Sequence, residues 1–589
     1  MYYFSDEVKD ASADADKAGE QRVDYGRTPE RRLIPQVEEA IQLLEQASKQ
    51  YHHADSLFLL GELYFHGLYA KQRDFTQALG YYEQLSELTG NATAQQRAGF
   101  IYSIGLGRTR ADPRKSLLYT TFAGIGGDTV AEMTLGYRYL YGIGVPKSCE
   151  ESVYYYQRVA DKAIDYFDSG PPGGRRLPRT RIRLADEEGG VFGIKSTGQA
   201  ANGVELDEVL EYYRLAAEKG DLQAKLILGQ LYHRGSNRIK QDFRRAKRYY
   251  RSVASRVYSS NGKQKRTKNV DKEVAHLAAQ AAGLIGEMYW RGEGVKANNA
   301  VALRWFKHAI EYDDPVAYNA LGVMYRDGVV VHKDLTRATK YFHKAANMEN
   351  DEAQVNLGKI MFDRKSYNEA KYFFTAAASR GNILGQYYLA DMHWEGLGTS
   401  YSCPLAVAYY KTVAEKGDWQ YSPIPAGYQA YKRGDYETAL LVYLQAAEMG
   451  YDVAQINAAW LLDKQRHGQL AMTSDYGEVA LSQRMRAANQ GNTDARVKSG
   501  DYYYAGIGTP RDVKQAARCY HSVARNDVSD LAMWNLGWMH EHGIGVTKDF
   551  YLARRWYKRA LEINSNAYFP VVASIVKLYI HWTWSWITN

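Results

Sequence analysis

Cysteine, proline and long apolar runs are all scarce in this 589-residue chain, and each scarcity closes off a class of protein. The three cysteines, Cys149, Cys403 and Cys519, lie far apart with no C-x-x-C spacing. That argues against a zinc site and against a disulfide framework, and the odd count leaves at least one thiol free unless it pairs between chains. With 13 prolines, helices meet few breakers. No run of about 20 apolar residues occurs, so no transmembrane helix is expected, and the mean hydropathy of −0.50 indicates a soluble class. The opening MYYFSDE lacks the basic and apolar regions of a signal peptide. The phosphate-binding G-x-x-x-x-G-K-[ST] and nucleophile-elbow G-x-S-x-G patterns are missing. Gly142-Ile-Gly-Val-Pro-Lys-Ser has no apolar strand before it, and His540-Glu-His has the wrong spacing for a zinc-protease helix. Neither catalytic residues, nor metal ligands, nor a cofactor site are therefore expected, and the chain reads as no enzyme. A net charge of +8 from 75 basic and 67 acidic residues is mild at this length. It gives no concentrated basic face for nucleic acid.

What is abundant is a repeat. Residues 134–146 read TLGYRYLYGIGVP, 284–295 read LIGEMYWRGEGV, and 535–546 read NLGWMHEHGIGV. Each is a helix with a small central residue, ended by Gly-x-Gly. The central glycines are Gly61, Gly99, Gly136, Gly229, Gly286, Gly322, Gly358, Gly500 and Gly537, with Ala390 and Ala459 in the same phase. Uninterrupted neighbours stand 36 to 38 residues apart. Glycine inside a helix costs roughly 1 kcal/mol against alanine. Its recurrence points to close approach by a partner helix that a Cβ would block.

A second helix follows each time, marked by Ala, two adjacent rings and Ala again at i, i+3, i+4 and i+7, which is one face of a helix. Ala302, Trp305, Phe306 and Ala309 are one set; Ala338, Tyr341, Phe342 and Ala345 are another. Cys519 occupies a ring position of this motif and reads as a small core residue. One hairpin cannot bury both its faces, so the pairs must stack. The fold expected is all-α, an α-α superhelix or solenoid of about twelve helix-pair repeats related to tetratricopeptide repeats.

The array is interrupted. Residues 1–30 read as a disordered N-terminal segment, 31–166 as a first repeat block, 167–203 as a linker, 204–419 as a middle block, 420–434 as a joint, and 435–566 as a third block. The linker arginines at 175, 176, 179, 181 and 183 read as a solvated connector, with a localisation or nucleic-acid patch as the lesser reading. Insertions are read at 256–274, as a disordered loop, and at 463–477. An aromatic C-terminal segment, 567–589, closes the chain. It is short for a membrane span. Two readings stand side by side: a capping helix over the last hairpin, or an amphipathic segment docking on a membrane surface or a partner helix through Tyr579, Trp582, Trp584 and Trp586. Asn91-Ala92-Thr93 is a glycosylation sequon between helices.

The period, the LGxxYxxGxGV helix and the Ala-ring-ring-Ala helix together resemble Sel-one-like repeats. Stretches such as AAEMGYDVAQINAAWLLD (446–463) and EYYRLAAEKGDLQAKLILGQLY (211–232) resemble more closely the SEL-one-L / HRD-three family, the adaptor subunits of the HRD ubiquitin ligase complex of the endoplasmic reticulum. The resemblance implies a non-catalytic adaptor with no cofactor. Its partners would be the HRD-type membrane ubiquitin ligase, an OS-nine-type lectin and misfolded (glyco)protein clients, with no nucleic acid. It implies residence in the endoplasmic-reticulum lumen, associated with the membrane, with a membrane-proximal C-terminus. That family pattern begins with a signal peptide and ends with a transmembrane helix; finding neither, we expect a chain trimmed of both. The alternative is a cytosolic Sel-one-like scaffold such as a chitin synthase activator.

Overall fold

Where each helix starts and stops is written in a few local residues. Asp314 accepts a hydrogen bond from the Ala317 N–H at 2.8 Å and so caps the helix Pro315–Asp327. Gly328 ends that helix at φ 75°, its N–H bonded to the Met324 carbonyl. Only glycine adopts this left-handed turn without strain. Asp334 then caps Leu335–Asn347 by accepting from the Arg337 N–H at 2.9 Å. The same grammar recurs at Asp128 with Gly142, Asn492 with Gly506, and Ser529 with Gly543.

The computed structural model describes residues 35–588, apart from 69–71, 179–180, 189–201, 236–238, 260–270, 418–422, 467, 469, 471 and 526–528. The segment 1–30 and most of the 256–274 insertion, both read as disordered from the sequence, thus lie outside the described residues. Those described form an all-α solenoid without strands; one isolated antiparallel bridge joins Leu106 and Met472.

Within a repeat the two helices lock through glycine and ring. A Cβ on Gly286 would come within 2.6 Å of the Phe306 ring, one on Gly322 within 2.5 Å of Phe342, and one on Gly358 within 2.4 Å of Phe374. The contacting ring is the second of each aromatic pair and is fully buried. Gly136, Gly229, Gly500 and Gly537 face Tyr156, Tyr250, Tyr520 and Tyr557 in the same way, while Gly99 faces Thr120. Gly61 is buried in Ala54–His66. Cys519 is a free, buried thiol beside Tyr520; burial raises its pKa.

The chain divides into two units, residues 1–81 and 82–589. In the first, Ile41, Leu57, Leu60 and Phe65 form the core, and Phe65 meets the edge of Phe75 at 5.5 Å. The second is more than a stack of sequence neighbours. The helix Cys149–Asp168 packs along Cys403–Gly417, and Cys149 is bonded to Cys403 across 254 residues. This corrects the expectation of a chain without disulfides: the two cysteines are distant in sequence, but their Cα atoms lie 6.2 Å apart, within reach of a bridge.

The same seam continues onto the helices Tyr436–Glu448 and Asp452–Asp463. Gln455 donates to the Tyr137 hydroxyl at 3.0 Å, and the Ser103 hydroxyl donates to Glu448 at 2.8 Å. Arg138 lies 3.6 Å from the Glu448 carboxylate, and Arg486 is bonded to it as well. Burial works to raise the Glu448 pKa, but Arg486 and Arg138 outweigh it and hold the carboxyl below its ordinary value.

The arginine-rich connector is also built in, against the solvated reading. Arg176 makes paired hydrogen bonds to Glu293 at 3.0 and 2.6 Å. Arg291 donates to the Gly174 carbonyl at 2.8 Å. Burial pushes the Glu293 carboxyl up, yet His233, Arg291 and Arg176 together pull it down to about 2. Further on, Ile182, Leu184 and Ala185 are buried, and Asn457 bonds both the Leu184 N–H and the Ile182 carbonyl. A charged stretch whose cations find buried carboxylates gains more from docking than from hydration. Arg183 lies 3.8 Å from Asp494, Arg181 is exposed, and Arg179 lies outside the described residues.

Candidate interaction surface

The C-terminal segment is one helix, Tyr568–Thr588, entered through a 3-10 turn at Ser565–Ala567. Pro570 sits in its first turn, where no intrahelical N–H is needed. The helix carries no acidic residue and is apolar on two opposite faces.

One face closes the last hairpin. Val571 and Leu578 are buried and Ile575 half-buried, in a cluster with Met533, Leu536, Tyr557 and Ala560. The Trp534 indole N–H donates to the Ser574 hydroxyl at 2.9 Å. Trp582 belongs to this face. Its ring stacks on Phe550 at 5.9 Å and on Tyr579 at 6.2 Å, and it meets Tyr551 edge-on at 4.5 Å. The Arg554 guanidinium covers the Tyr579 ring at 5.6 Å.

The other face is open. Phe569, Ala573, Val576, Ile580 and Ile587 follow one another at helical spacing. Phe569 is 84% exposed, Ile580 61% and Ile587 73%. Trp584, at 67% exposed, borders this stripe, whereas Trp586, at 84% exposed, stands one and two turns beyond Trp582 and Tyr579 on their side of the helix. The four aromatic residues singled out from the sequence thus divide: Tyr579 and Trp582 pack on the docked side, Trp586 is exposed further along that same side, and Trp584 borders the outer stripe. The aliphatic stripe is not among the residues expected from the sequence, although its i, i+4, i+7 spacing is present there. No helix among the described residues is long and apolar enough to cross a membrane.

Polar side chains bind the docked edge. Glu541, whose side chain is fully buried, lies 2.6 Å from His581 and 3.8 Å from Lys577, both on the C-terminal helix. Its other oxygen accepts from the Tyr557 hydroxyl at 2.9 Å. Burial, and then the Glu541 charge, push the Tyr557 pKa well up.

Asn91 stands apart from this surface. It is exposed and caps the helix Ala92–Ile104, its side-chain oxygen accepting from the Ala94 N–H at 2.9 Å. The Thr93 hydroxyl donates to Asp128 at 3.4 Å.

Comparison with known proteins bears on this architecture. The family model described as Sel1 repeat matches residues 31–52, 54–89, 92–128, 129–163, 210–221, 222–256, 279–311, 315–350, 351–382, 383–418, 493–528 and 530–565. An uncharacterized Sel1-like repeat-containing protein of Schizosaccharomyces pombe is 28% identical over 93% of this chain and 86% of its own. Protein sel-1 homolog 2 of Homo sapiens is 35% identical over 86% of this chain and 69% of its own. The ERAD-associated E3 ubiquitin-protein ligase component HRD3A of Arabidopsis thaliana is 34% identical over 83% and 69% respectively.

Proposed function

The chain belongs to the Sel1 repeat family, and from that membership we propose that it is a non-catalytic adaptor of an HRD-type ubiquitin ligase in ER-associated degradation. The observation that carries the reading is the likeness to a ligase component of that name, which extends across the repeats instead of being confined to one of them. Two structural features support it. The Cys149–Cys403 disulfide suits an oxidising compartment such as the ER lumen, because such bonds are rare where glutathione keeps thiols reduced. The C-terminal helix offers an apolar face of the kind that seats on a partner helix or a membrane surface.

In this reading the repeats hold misfolded lumenal clients and a mannose-reading lectin of the OS-nine type, and the C-terminal helix holds the ligase. The aliphatic stripe, not Trp582, is the surface to change. The protein with its natural ends is expressed in cells and isolated with its ligase. The pair Ile580→Ser and Ile587→Ser should lower ligase recovery several-fold, with unchanged thermal unfolding. Sensitivity to endoglycosidase, lost in Asn91→Gln, should report lumenal exposure. A protein that stays unglycosylated and fractionates with cytosol would sink the proposal in favour of a cytosolic scaffold.

A further inference from the structure

The edge where the C-terminal helix meets the last hairpin brings together Glu541, His542 and His581, and we infer that these three side chains form a binding site for a divalent zinc-like cation. Their ligand atoms all lie within 4.8 Å of one another. Glu541 Oε1 is 2.6 Å from His581 Nδ1 and 4.0 Å from His542 Nε2. Metal–nitrogen and metal–oxygen lengths of about 2.0–2.1 Å set two tetrahedral ligands roughly 3.3 Å apart. The observed separations bracket that value, and small rotations of two partly exposed imidazoles close the difference.

The surroundings prepare each ligand. His542 Nδ1 faces the Trp538 carbonyl at 2.8 Å. A carbonyl can only accept, so Nδ1 carries the proton and Nε2 presents its lone pair to the site. The Tyr557 hydroxyl occupies Glu541 Oε2 and leaves Oε1, which is buried and accepts no hydrogen bond, aimed at the two imidazoles. Two imidazoles and one carboxylate make a borderline ligand set that suits zinc and leaves a coordination position for water. His540 takes no part; its Nδ1 is bonded to the Thr547 carbonyl at 3.1 Å. The site is invisible to motif reading, because two ligands are adjacent on the hairpin and the third lies 39 residues on in the terminal helix.

One neighbour opposes the ion. Lys577 Nζ lies 3.5 Å from His542 Nε2 and 3.8 Å from Glu541 Oε1. Its side chain is 49% exposed, so the ammonium can leave for solvent when a cation enters. Bound zinc would replace an ion pair by two coordinate links from the hairpin to His581, fixing the C-terminal helix in place.

The test is calorimetric titration of tag-free full chain with Zn2+, alongside His581→Ala, His542→Ala and Lys577→Ala. Binding of one ion should weaken at least ten-fold in each histidine variant and strengthen in Lys577→Ala, where the competing charge is gone. Zinc should also raise the thermal midpoint of the parent chain and not that of His581→Ala. Equal affinity in all four proteins, or none at 100-fold excess of Zn2+, would overturn the site and leave Glu541 as an ion-pair latch only.

Discussion

Two kinds of contact hold residues 82–589 together, and they are made of different chemistry. Between sequence neighbours, as in Pro315–Asp327 on Leu335–Asn347, a glycine meets a buried ring and the interface is apolar. Along the seam, Ser103 and Glu448 are 345 residues apart and Tyr137 and Gln455 are 318 apart, and the contacts are hydrogen bonds, ion pairs and a disulfide. A repeat stack is extended by copying, since each new pair brings its own glycine and ring. A seam has no neighbour to copy. It is specified by polar groups that find their partners across it in one register, and stranding one of those partners is costly.

The comparison breaks most sharply at Glu448. Glu448→Ala strands the buried Arg138 and the half-buried Arg486, and loss of one partner of a buried ion pair costs about 3–5 kcal/mol. Urea unfolding should show that loss, with a separate early transition for the helices of the seam. A single transition of unchanged midpoint would mean that the seam contributes nothing. Next comes Cys403→Ser. Opening a closed loop of this length should cost about 2–5 kcal/mol, because the unfolded chain recovers the entropy that the cross-link removed. The parent protein should show the same drop after reduction, and the variant should be insensitive to reductant.

The two regions differed in how far the sequence disclosed them. The stack was legible, because Gly322 and Phe342 each belong to a pattern repeated along the chain and a local helical period suffices to pair them. The seam was not. Nothing near Cys149 names Cys403, and nothing near Asn457 says that it will hold the backbone of Ile182 and Leu184. The linker arginines misled for the same reason: a Pro- and Gly-rich charged stretch carries the local signature of a solvated loop, while its partners, Glu293 and Asn457, sit in distant helices. The C-terminal helix lay between these cases. Its two apolar faces are periodic and readable, but which face docks depends on Leu536 and Tyr557, which only the folded hairpin presents.

Titration should separate stack from seam in opposite directions. In the stack, burial raises Asp314 to about 8. Between its unfolded and folded values this carboxyl is ionised in the unfolded chain and protonated in the folded one, so the folded chain binds more protons. Lowering pH from 8 toward 5 therefore stabilises the stack, by up to about 1.4 kcal/mol per pH unit. At the seam Glu448 is held low by its arginines, and the linker carboxyl Glu293 lies near 2. Their contribution is present above the ordinary glutamate range and is lost as pH falls through their folded values. Unfolding midpoints should pass through a maximum on the acid side of neutrality. Asp314→Asn, which keeps an oxygen to cap Ala317, should flatten the alkaline limb alone; an unchanged limb would remove Asp314 from the account.

The smallest effect is the most selective test of the stack itself. Alanine is favoured over glycine in a helix interior by about 1 kcal/mol. At Gly80 in the helix Phe75–Thr89 an added Cβ meets nothing within 4 Å among the described residues, so Gly80→Ala should stabilise by about that amount. At Gly322 the same methyl would lie 2.5 Å from the buried Phe342 ring. That ring is fully buried against Ala338 and Ala345 and cannot swing out to solvent. Overpacking costs of about 1–3 kcal/mol then exceed the propensity gain, and Gly322→Ala should destabilise by about 1 kcal/mol net. Opposite signs for two chemically identical substitutions, read from urea midpoints, would show that the recurring glycines are kept for helix–helix approach. Equal signs would show that the rings move aside and that the glycine phase has another cause.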